Sequence, residues 1–135
     1  MALMRWKANY SVGVDEFDKD HKSLMHALNK LHAAALKGKS NEIAGKMLRR
    51  MVVTASGHFA AEEKAMESAG FPGLAEHRAK HHDLSAKLAE FLSRDKNADQ
   101  TMYVAFLYFV RDWFKDHMLN VDREYAPLLK NHGIK

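Results

Sequence analysis

Apolar residues recur at three- and four-residue spacing in four stretches of the chain, and this periodicity constrains the fold more than any other feature. The spacing places apolar side chains along one face of an α-helix. A chain of short strands would need frequent turn residues, whereas these 135 residues include only 7 Gly and 2 Pro. The pattern therefore predicts an all-α protein and argues against a β-sandwich.

The boundaries of the predicted helices follow from residues that end or begin helices. Gly38 is expected to end the first helix, and Ser40 or Asn41 to cap the second. The Ala-Gly-Phe-Pro-Gly segment at 69–73 ends the second helix, and a polar loop at 94–99 precedes the fourth. The helices are predicted over residues 18–36, 41–68, 74–93 and 100–120.

Four helices of similar length with short connections predict an up-down-up-down four-helix bundle. Residues 1–17 are interpreted as an extended N-terminal arm and residues 125–135 as a short C-terminal segment. Because no internal repeat or long linker divides the chain, a single domain over residues 1–135 is expected. The side chains expected to face the core are, in helix order, Leu24, Met25, Leu28, Leu31 and Ala35; Ile43, Met47, Met51, Thr54, His58 and Ala61; Leu74, His77, His81, Leu84, Leu88 and Phe91; Tyr103, Phe106, Phe109, Val110, Trp113, Phe114 and His117.

Composition excludes several function classes. The chain has no Cys, which excludes disulfides, thiolate zinc sites, iron–sulfur clusters and a cysteine nucleophile, so any metal must be bound by nitrogen and oxygen. The net charge is +4, but acidic residues are interleaved with the basic ones, so nucleic-acid binding is not expected.

The longest apolar run, residues 102–110, is too short to span a membrane, and no secretory signal is recognisable. We therefore expect a cytoplasmic protein.

Two pairs of metal-binding residue types have helical spacing. His58 and Glu62 are four residues apart, and so are His77 and His81. A four-residue step returns to within about 40° of the same helix face, so each pair projects two potential ligands from one side of one helix. One such pair alone is more often hydrogen-bonded or solvent-facing than metal-bound.

A third pair has a different spacing. His117 and Asp122 are five residues apart, which on an ideal α-helix is about 140° out of phase. These side chains converge only if the helix ends or widens near residues 118–121, and a local π-turn would have this effect. His21, at the start of the first helix, adds a further imidazole.

The conjunction of these residues favours a metal site over a hydrogen-bonded core. Each predicted helix contributes, and burying so many polar groups without partners would cost several kcal/mol each. Five imidazoles and two carboxylates exceed the four ligands of one tetrahedral zinc, but they suit two metal ions that share bridging carboxylates and a hydroxide. One coordination position then remains open. Nitrogen-rich ligation without thiolate fits iron, although manganese, cobalt or zinc could also be bound.

The motifs of the whole chain resemble those of the hemerythrin family, most of all its single-domain bacterial members. The matching motifs are Trp6, Tyr10-Ser-Val-Gly-Val14, Asp18-x-x-His21, His58-Phe-x-x-Glu62-Glu63, His77-x-x-x-His81 and Trp113-x-x-x-His117-x-x-x-x-Asp122. The resemblance implies two iron ions (Fe2+/Fe3+) with a bridging oxo or hydroxo group. It further implies that one iron is bound by His77, His81 and His117 and the other by His21 and His58, with Glu62 and Asp122 bridging.

The resemblance also implies where dioxygen binds. It would bind at the iron with two histidines, in a pocket lined by Leu24, Phe59, Trp113, Phe114 and Met118. Phe114 stands where an aliphatic residue is usual in the family. We hypothesise that its ring narrows the pocket or a gas channel.

The function implied is reversible dioxygen binding by a monomer that is not an enzyme, for oxygen storage, transport or delivery to an oxygen-consuming enzyme. The alternatives are a di-iron oxidase or peroxidase, an oxygen or redox sensor, and an iron or nitric-oxide scavenger. The oxidase alternative is disfavoured because the chain contains no Glu-x-x-His motif. Asp18 and Glu63 are expected at the surface or orienting imidazoles, and His26, His32, His82 and His132 are expected to be exposed.

Overall fold

The computed structural model describes residues 2–39 and 41–135, and these contain helices but no strand. The predicted all-α bundle is confirmed. The elements are α1 (Asp15–Leu36), α2 (Asn41–Ala69), α3 (Leu74–Leu92), α4 (Gln100–Asp116), a π-helix (His117–Val121) and α5 (Ala126–Asn131). α1 begins three residues earlier than predicted, and the arm before it contains one 3-10 turn, Ala8–Tyr10. The alternative cap of α2, Ser40, lies outside the described residues.

Two glycines end α1 and α2 as the sequence indicates. Gly38 has a φ of 71°, and the backbone N–H of Lys39 donates to Ala34 O over 3.1 Å. Gly70 has a φ of 70°, and the N–H of Phe71 donates to Met66 O over 2.9 Å. Only glycine adopts this left-handed conformation without strain, so each helix ends where its glycine stands.

The connection between α3 and α4 is not the simple polar loop that we predicted. Asp95 is buried and begins a short 3-10 turn. The Asn41 side chain donates to Asp95 O (2.7 Å) and Ala98 O (2.6 Å), which joins the start of α2 to this turn. Gly45 allows α2 to approach Asp95 closely, because a Cβ at residue 45 would lie 2.6 Å from Asp95 Oδ2.

The helices pack around one main apolar core and a smaller second one. α1 packs against α2 and α4, and α2 also packs against α3. Leu31, Leu48 and Leu107 are fully buried in the main core. The smaller cluster lies under the N-terminal arm and α5, and its buried members are Val12, Val14, Phe17, Met66, Ala69, Tyr125 and Leu129. No helix in the described part of the chain is both long and apolar enough to cross a bilayer.

The predicted core face is correct for α1 but wrong in part for α2. Ile43 and Thr54 are exposed, whereas Ala44, Leu48 and Ala55 face the core. Apolar residues stand side by side at 43–44 and 47–48, so the spacing alone fits two neighbouring faces.

The predicted face of α4 needs the same correction. Phe109 is exposed and Phe106 only partly buried, while Leu107, which the prediction omitted, is fully buried. Every residue from 102 to 110 is apolar, so no polar residue marks the outer face of this turn.

Candidate metal centre

The seven predicted ligands meet inside one end of the bundle, and each is at most 3% exposed. Three long helices and the π-helix that continues α4 supply them: His21 from α1, His58 and Glu62 from α2, His77 and His81 from α3, and His117 and Asp122 from the π-helix and the residue after it. We call them the seven candidate ligands.

The π-helix explains how His117 and Asp122 face the same way. A π-turn takes five residues to come round where an α-turn takes about four, so the five-residue spacing returns to one face. Asp122 Oδ1 lies 2.9 Å from His117 Nε2 and 3.0 Å from His77 Nε2. The widening that the sequence predicted near residues 118–121 is present at His117–Val121.

The first cluster brings three imidazoles to one point. His117 Nε2 lies 3.0 Å from His81 Nε2 and 3.1 Å from His77 Nε2. Glu62 Oε1 lies 3.5 Å from His81 Nε2. These three histidines, Glu62 and Asp122 each offer one ligand atom, and all five atoms lie within 4.8 Å of one another.

The second cluster contains two imidazoles and shares the carboxylates of the first. His58 Nε2 lies 2.8 Å from His21 Nε2 and 2.9 Å from Glu62 Oε1. The other oxygen of Asp122, Oδ2, lies 3.3 Å from His21 Nε2. Glu62 and Asp122 therefore each lie between the two histidine sets.

Several polar atoms of the two clusters have no hydrogen-bond partner in the described part of the protein but are placed where they could bind metal ions. Among the described residues, Glu62 Oε1 and both carboxylate oxygens of Asp122 are buried without a hydrogen bond. Such desolvated oxygens cost about 1–3 kcal/mol each or more when charged, and buried polar groups are seldom left so. Cations between the converging nitrogens and oxygens would satisfy them. A donor set of imidazole and carboxylate without sulfur is compatible with iron.

Burial and neighbouring charges shift the pKa values of the histidines in different directions. Burial lowers the pKa of His21 to about 4. Burial, together with His117 and His77, lowers the pKa of His81 to about 2. Both imidazoles are therefore neutral at pH 7, which is the form that coordinates a metal. At His58, burial alone would lower the pKa, but hydrogen bonding and charge from Glu62, together with Asp20, outweigh it and raise the pKa to about 9, so a metal ion would displace a proton there.

The two carboxylates differ in their pKa values. Burial and the adjacent Asp122 raise the pKa of Glu62. Burial alone would raise the pKa of Asp122, but the nearby His117 and His77 imidazoles outweigh it and lower that pKa. Two carboxylates this close repel each other when both are ionised, so cations between them would stabilise the doubly ionised pair.

Three further polar side chains contact the candidate ligands. Asp20 Oδ2 lies 2.8 Å from His58 Nδ1, and Glu63 Oε2 lies 2.9 Å from His81 Nδ1. The Tyr125 hydroxyl donates to Glu62 Oε2 over 2.5 Å. A carboxylate on the far nitrogen of an imidazole fixes the ring's tautomer and orientation.

The sequence anticipated only one of these contacts. Glu63 contacts the His81 imidazole, which agrees with one of the two roles predicted for it. Asp18 does not; it accepts from the Ser11 hydroxyl (2.5 Å) and the Val12 N–H (2.8 Å) and so joins the arm to α1. Nothing in the sequence pattern indicated the contact of Asp20 with His58. Tyr125 follows Asp122 by three residues, so helical spacing could have indicated that it lies near the candidate ligands.

Aromatic and aliphatic side chains adjoin the centre. Phe59 stacks on His81 with ring centroids 4.0 Å apart, and Trp113 stacks on His117 at 4.4 Å. A narrow apolar cavity of about 30 Å³ runs between the helices here. Its lining includes four of the predicted pocket residues (Leu24, Phe59, Trp113 and Phe114), together with Leu28, Met51, Ala55, Leu84, Leu88 and Val110.

Two predicted pocket residues can be placed more closely. The Phe114 ring contacts the His21 ring edge to face, with centroids 5.4 Å apart, so it lies between the cavity and the second cluster. Met118 is fully buried in the main core but is not among the residues that line the cavity.

One prediction about the remaining histidines is wrong. His26, His82 and His132 are exposed as expected, but His32 is buried, with its ring 5.6 Å from that of Tyr108. His32 follows Leu28 by one helical turn and so lies on the inner side of α1. It is outside both clusters, and its Nε2 has no hydrogen bond to any described residue.

Comparison with known proteins agrees with this geometry. The family model of the hemerythrin HHE cation binding domain matches residues 12–129. The chain is 34% identical to a bacteriohemerythrin of Methylococcus capsulatus, covering 96% of this chain and 98% of that one. It is 33% identical to a hemerythrin subunit of Sipunculus nudus, covering 92% of each. A solved wild-type hemerythrin is 32% identical, with a TM-score of 0.85 over 95% of this chain and 98% of the other. The chain therefore belongs to the hemerythrin family.

Proposed function

We propose that this protein binds dioxygen reversibly at a centre of two iron ions, as an oxygen carrier or store. Oxygen binding at non-haem iron is the activity that its family supports. The observation that carries the proposal is the pair of buried clusters that share Glu62 and Asp122 beside an apolar cavity.

Each candidate ligand has a role in this proposal. His77, His81 and His117 bind one iron, and His21 and His58 bind the other. Glu62 and Asp122, which lie between the two histidine sets, would hold both ions. The ion at His21 and His58 would have one imidazole fewer and so would leave room for dioxygen. Bound iron would supply the two electrons that dioxygen takes up on binding.

The surrounding side chains exclude water from the open position. Leu24, Phe59, Trp113 and Phe114 present apolar surface to the cavity. In such a low-dielectric site, charge separation is costly, so loss of an oxygen anion to solvent is disfavoured and release as neutral dioxygen is favoured.

The size of the apolar cavity beside the centre suits a small gas molecule better than an organic substrate. A volume of about 30 Å³ is far below the roughly 300–1,000 Å³ of pockets that bind organic ligands. The family is also generally one of carriers rather than enzymes. An oxygen-consuming enzyme as client, the monomeric state and the cytoplasmic location stay predictions.

An anaerobic optical titration tests the proposal. Reduced, iron-loaded protein is exposed to oxygen and then purged with argon, and zinc-loaded protein is the control because zinc has no redox chemistry. We expect a visible charge-transfer band that appears with oxygen, disappears on purging and is missing from the zinc form. A band that decays irreversibly with release of peroxide would contradict the proposal and favour an oxidase or peroxidase.

A further inference from the structure

We propose that Asp20 and Arg78 give the two metal positions different reduction potentials by acting, from outside the centre, on one histidine of each cluster. Asp20 makes the position held by His21 and His58 easier to oxidise. Arg78 weakens the same effect of Glu63 at the other position. This inference rests on the function proposed above, and its residues are positioning residues that do not themselves bind iron.

The Asp20–His58 contact leaves the carboxylate's charge uncompensated. Asp20 Oδ2 lies 2.8 Å from His58 Nδ1, while His58 Nε2 points into the centre. Within residues 2–39 and 41–135, no Lys or Arg nitrogen lies within 4.0 Å of this carboxylate. No Lys or Arg among the described residues therefore offsets the charge of Asp20 on the imidazole, and only the water at its 36% exposed side chain screens it.

The matching contact at the other cluster has a cation beside its carboxylate. Glu63 Oε2 lies 2.9 Å from His81 Nδ1, but Glu63 Oε1 accepts from Arg78 Nε over 3.1 Å. Arg78 also binds Glu67, through Nη2 over 3.1 Å. The guanidinium withdraws charge from Glu63, so His81 receives less electron density than His58 does.

The direction of the effect follows from ligand basicity. A carboxylate that accepts a hydrogen bond from Nδ1–H makes Nε2 a stronger electron-pair donor to a metal. A stronger electron-pair donor stabilises a ferric ion over a ferrous one. A cation on that carboxylate opposes this polarisation. The position of His21 and His58 should therefore have the lower reduction potential.

The asymmetry would suit oxygen binding. Two ferrous ions would each supply one of the two electrons that dioxygen takes up. Since the position of His21 and His58 has only two histidines and would be the one to take dioxygen, the charge of Asp20 there would favour bound over free dioxygen.

Three variants test the inference: Asp20→Asn, Glu63→Gln and Arg78→Gln. Iron content is measured first, and the midpoint potentials of the loaded proteins follow from a spectroelectrochemical titration. We expect Asp20→Asn to favour the ferrous state about tenfold, a positive shift of about 59 mV for a one-electron couple, and to speed oxygen release. Glu63→Gln should give a smaller positive shift, and Arg78→Gln a negative one because it frees the charge of Glu63.

Matched controls separate this from a structural role. Asp20→Glu keeps the charge and should restore most of the wild-type potential, and Glu67→Gln removes the other partner of Arg78 without touching His81. Unchanged potentials in Asp20→Asn and Arg78→Gln would overturn the inference while the proposed function stands. If Asp20→Asn does not bind iron, the Arg78→Gln variant still tests the inference, because Arg78 is half-exposed and its side chain does not hydrogen-bond to the candidate ligands. A positive shift of the midpoint potential in Arg78→Gln would also contradict the inference. Failure of the wild type to bind two irons would instead overturn the proposed function.

Discussion

The two ends of the bundle are built on the same four helices, yet their interiors are opposite in character. Away from the centre the buried positions carry Leu31, Leu48, Leu88 and Leu107, each at most 2% exposed. At the other end the corresponding inward positions carry imidazoles and carboxylates that are equally buried. Apolar contacts dominate the first end, whereas the second end has buried polar atoms that a cation would satisfy. The large apolar side chains and the seven candidate ligands are thus separated along the bundle axis.

The polar end is also enclosed from outside. The smaller apolar cluster, formed by the arm, α5 and the ends of α1 and α2, lies on the far side of the seven candidate ligands. Phe17 of this cluster contacts both the His58 ring (5.6 Å) and the Tyr125 ring (6.0 Å). The centre therefore lies between two apolar regions, which explains how seven polar side chains can be buried in so small a protein.

Replacing Glu62 should have the largest effect, because this residue belongs to both clusters. We expect Glu62→Ala to lose both irons while the apolar end keeps its helices. Metal analysis and circular dichroism measure these two properties. Glu67→Ala is the control, since Glu67 lies on the same helix and is 69% exposed. Two irons retained in Glu62→Ala would show that the clusters do not share this ligand.

A cavity at the apolar end should have the converse effect. Leu107→Ala removes a fully buried side chain and should lower the free energy of unfolding by about 3 kcal/mol, while iron content stays that of the wild type. Urea unfolding and metal analysis measure the two quantities. Leu36→Ala, at a residue 53% exposed, should change stability by less than about 0.5 kcal/mol. Iron loss in Leu107→Ala would show that the two ends are not independent.

Phe114 lies at the boundary between the two ends, against His21 and the cavity. Phe114→Leu removes the ring from this path, so oxygen should bind and leave faster. The factor should be about ten or less, which corresponds to a barrier change of up to about 1.36 kcal/mol. Stopped-flow and laser-flash kinetics give both rates. Unchanged rates would refute the narrowing role of the ring, provided that the loaded iron content is equal.

His32 tests whether the apolar end tolerates a titratable group, and its effect should be the smallest. Burial, with a contribution from Arg111, lowers the pKa of His32 below 6.5. The folded state then binds fewer protons than the unfolded state, so this group makes stability fall as the pH drops through about 6.5. His32→Gln should weaken the pH dependence between pH 7.5 and 5.5, whereas His26→Gln, at an exposed site on the same helix, should not. Equal dependence in wild type and His32→Gln would contradict this assignment.

Spacing predicted the helices and the convergence of the candidate ligands because both follow from helical geometry. The five-residue step from His117 to Asp122 even predicted the π-helix. Spacing did not identify the buried helix face where every residue is apolar, as in the run around Leu107. Asp20 was also missed, because its contact with His58 joins two helices and depends on their packing. That the seven side chains bind iron stays a proposal.

Iron content per chain tests the central claim most directly. Protein reconstituted anaerobically with excess ferrous iron and then desalted is analysed for metal, and Mössbauer spectroscopy distinguishes the bound ions. The two clusters predict two irons per chain in two different environments, one with three imidazoles and one with two. One iron per chain, or none, would contradict a shared centre built by Glu62 and Asp122.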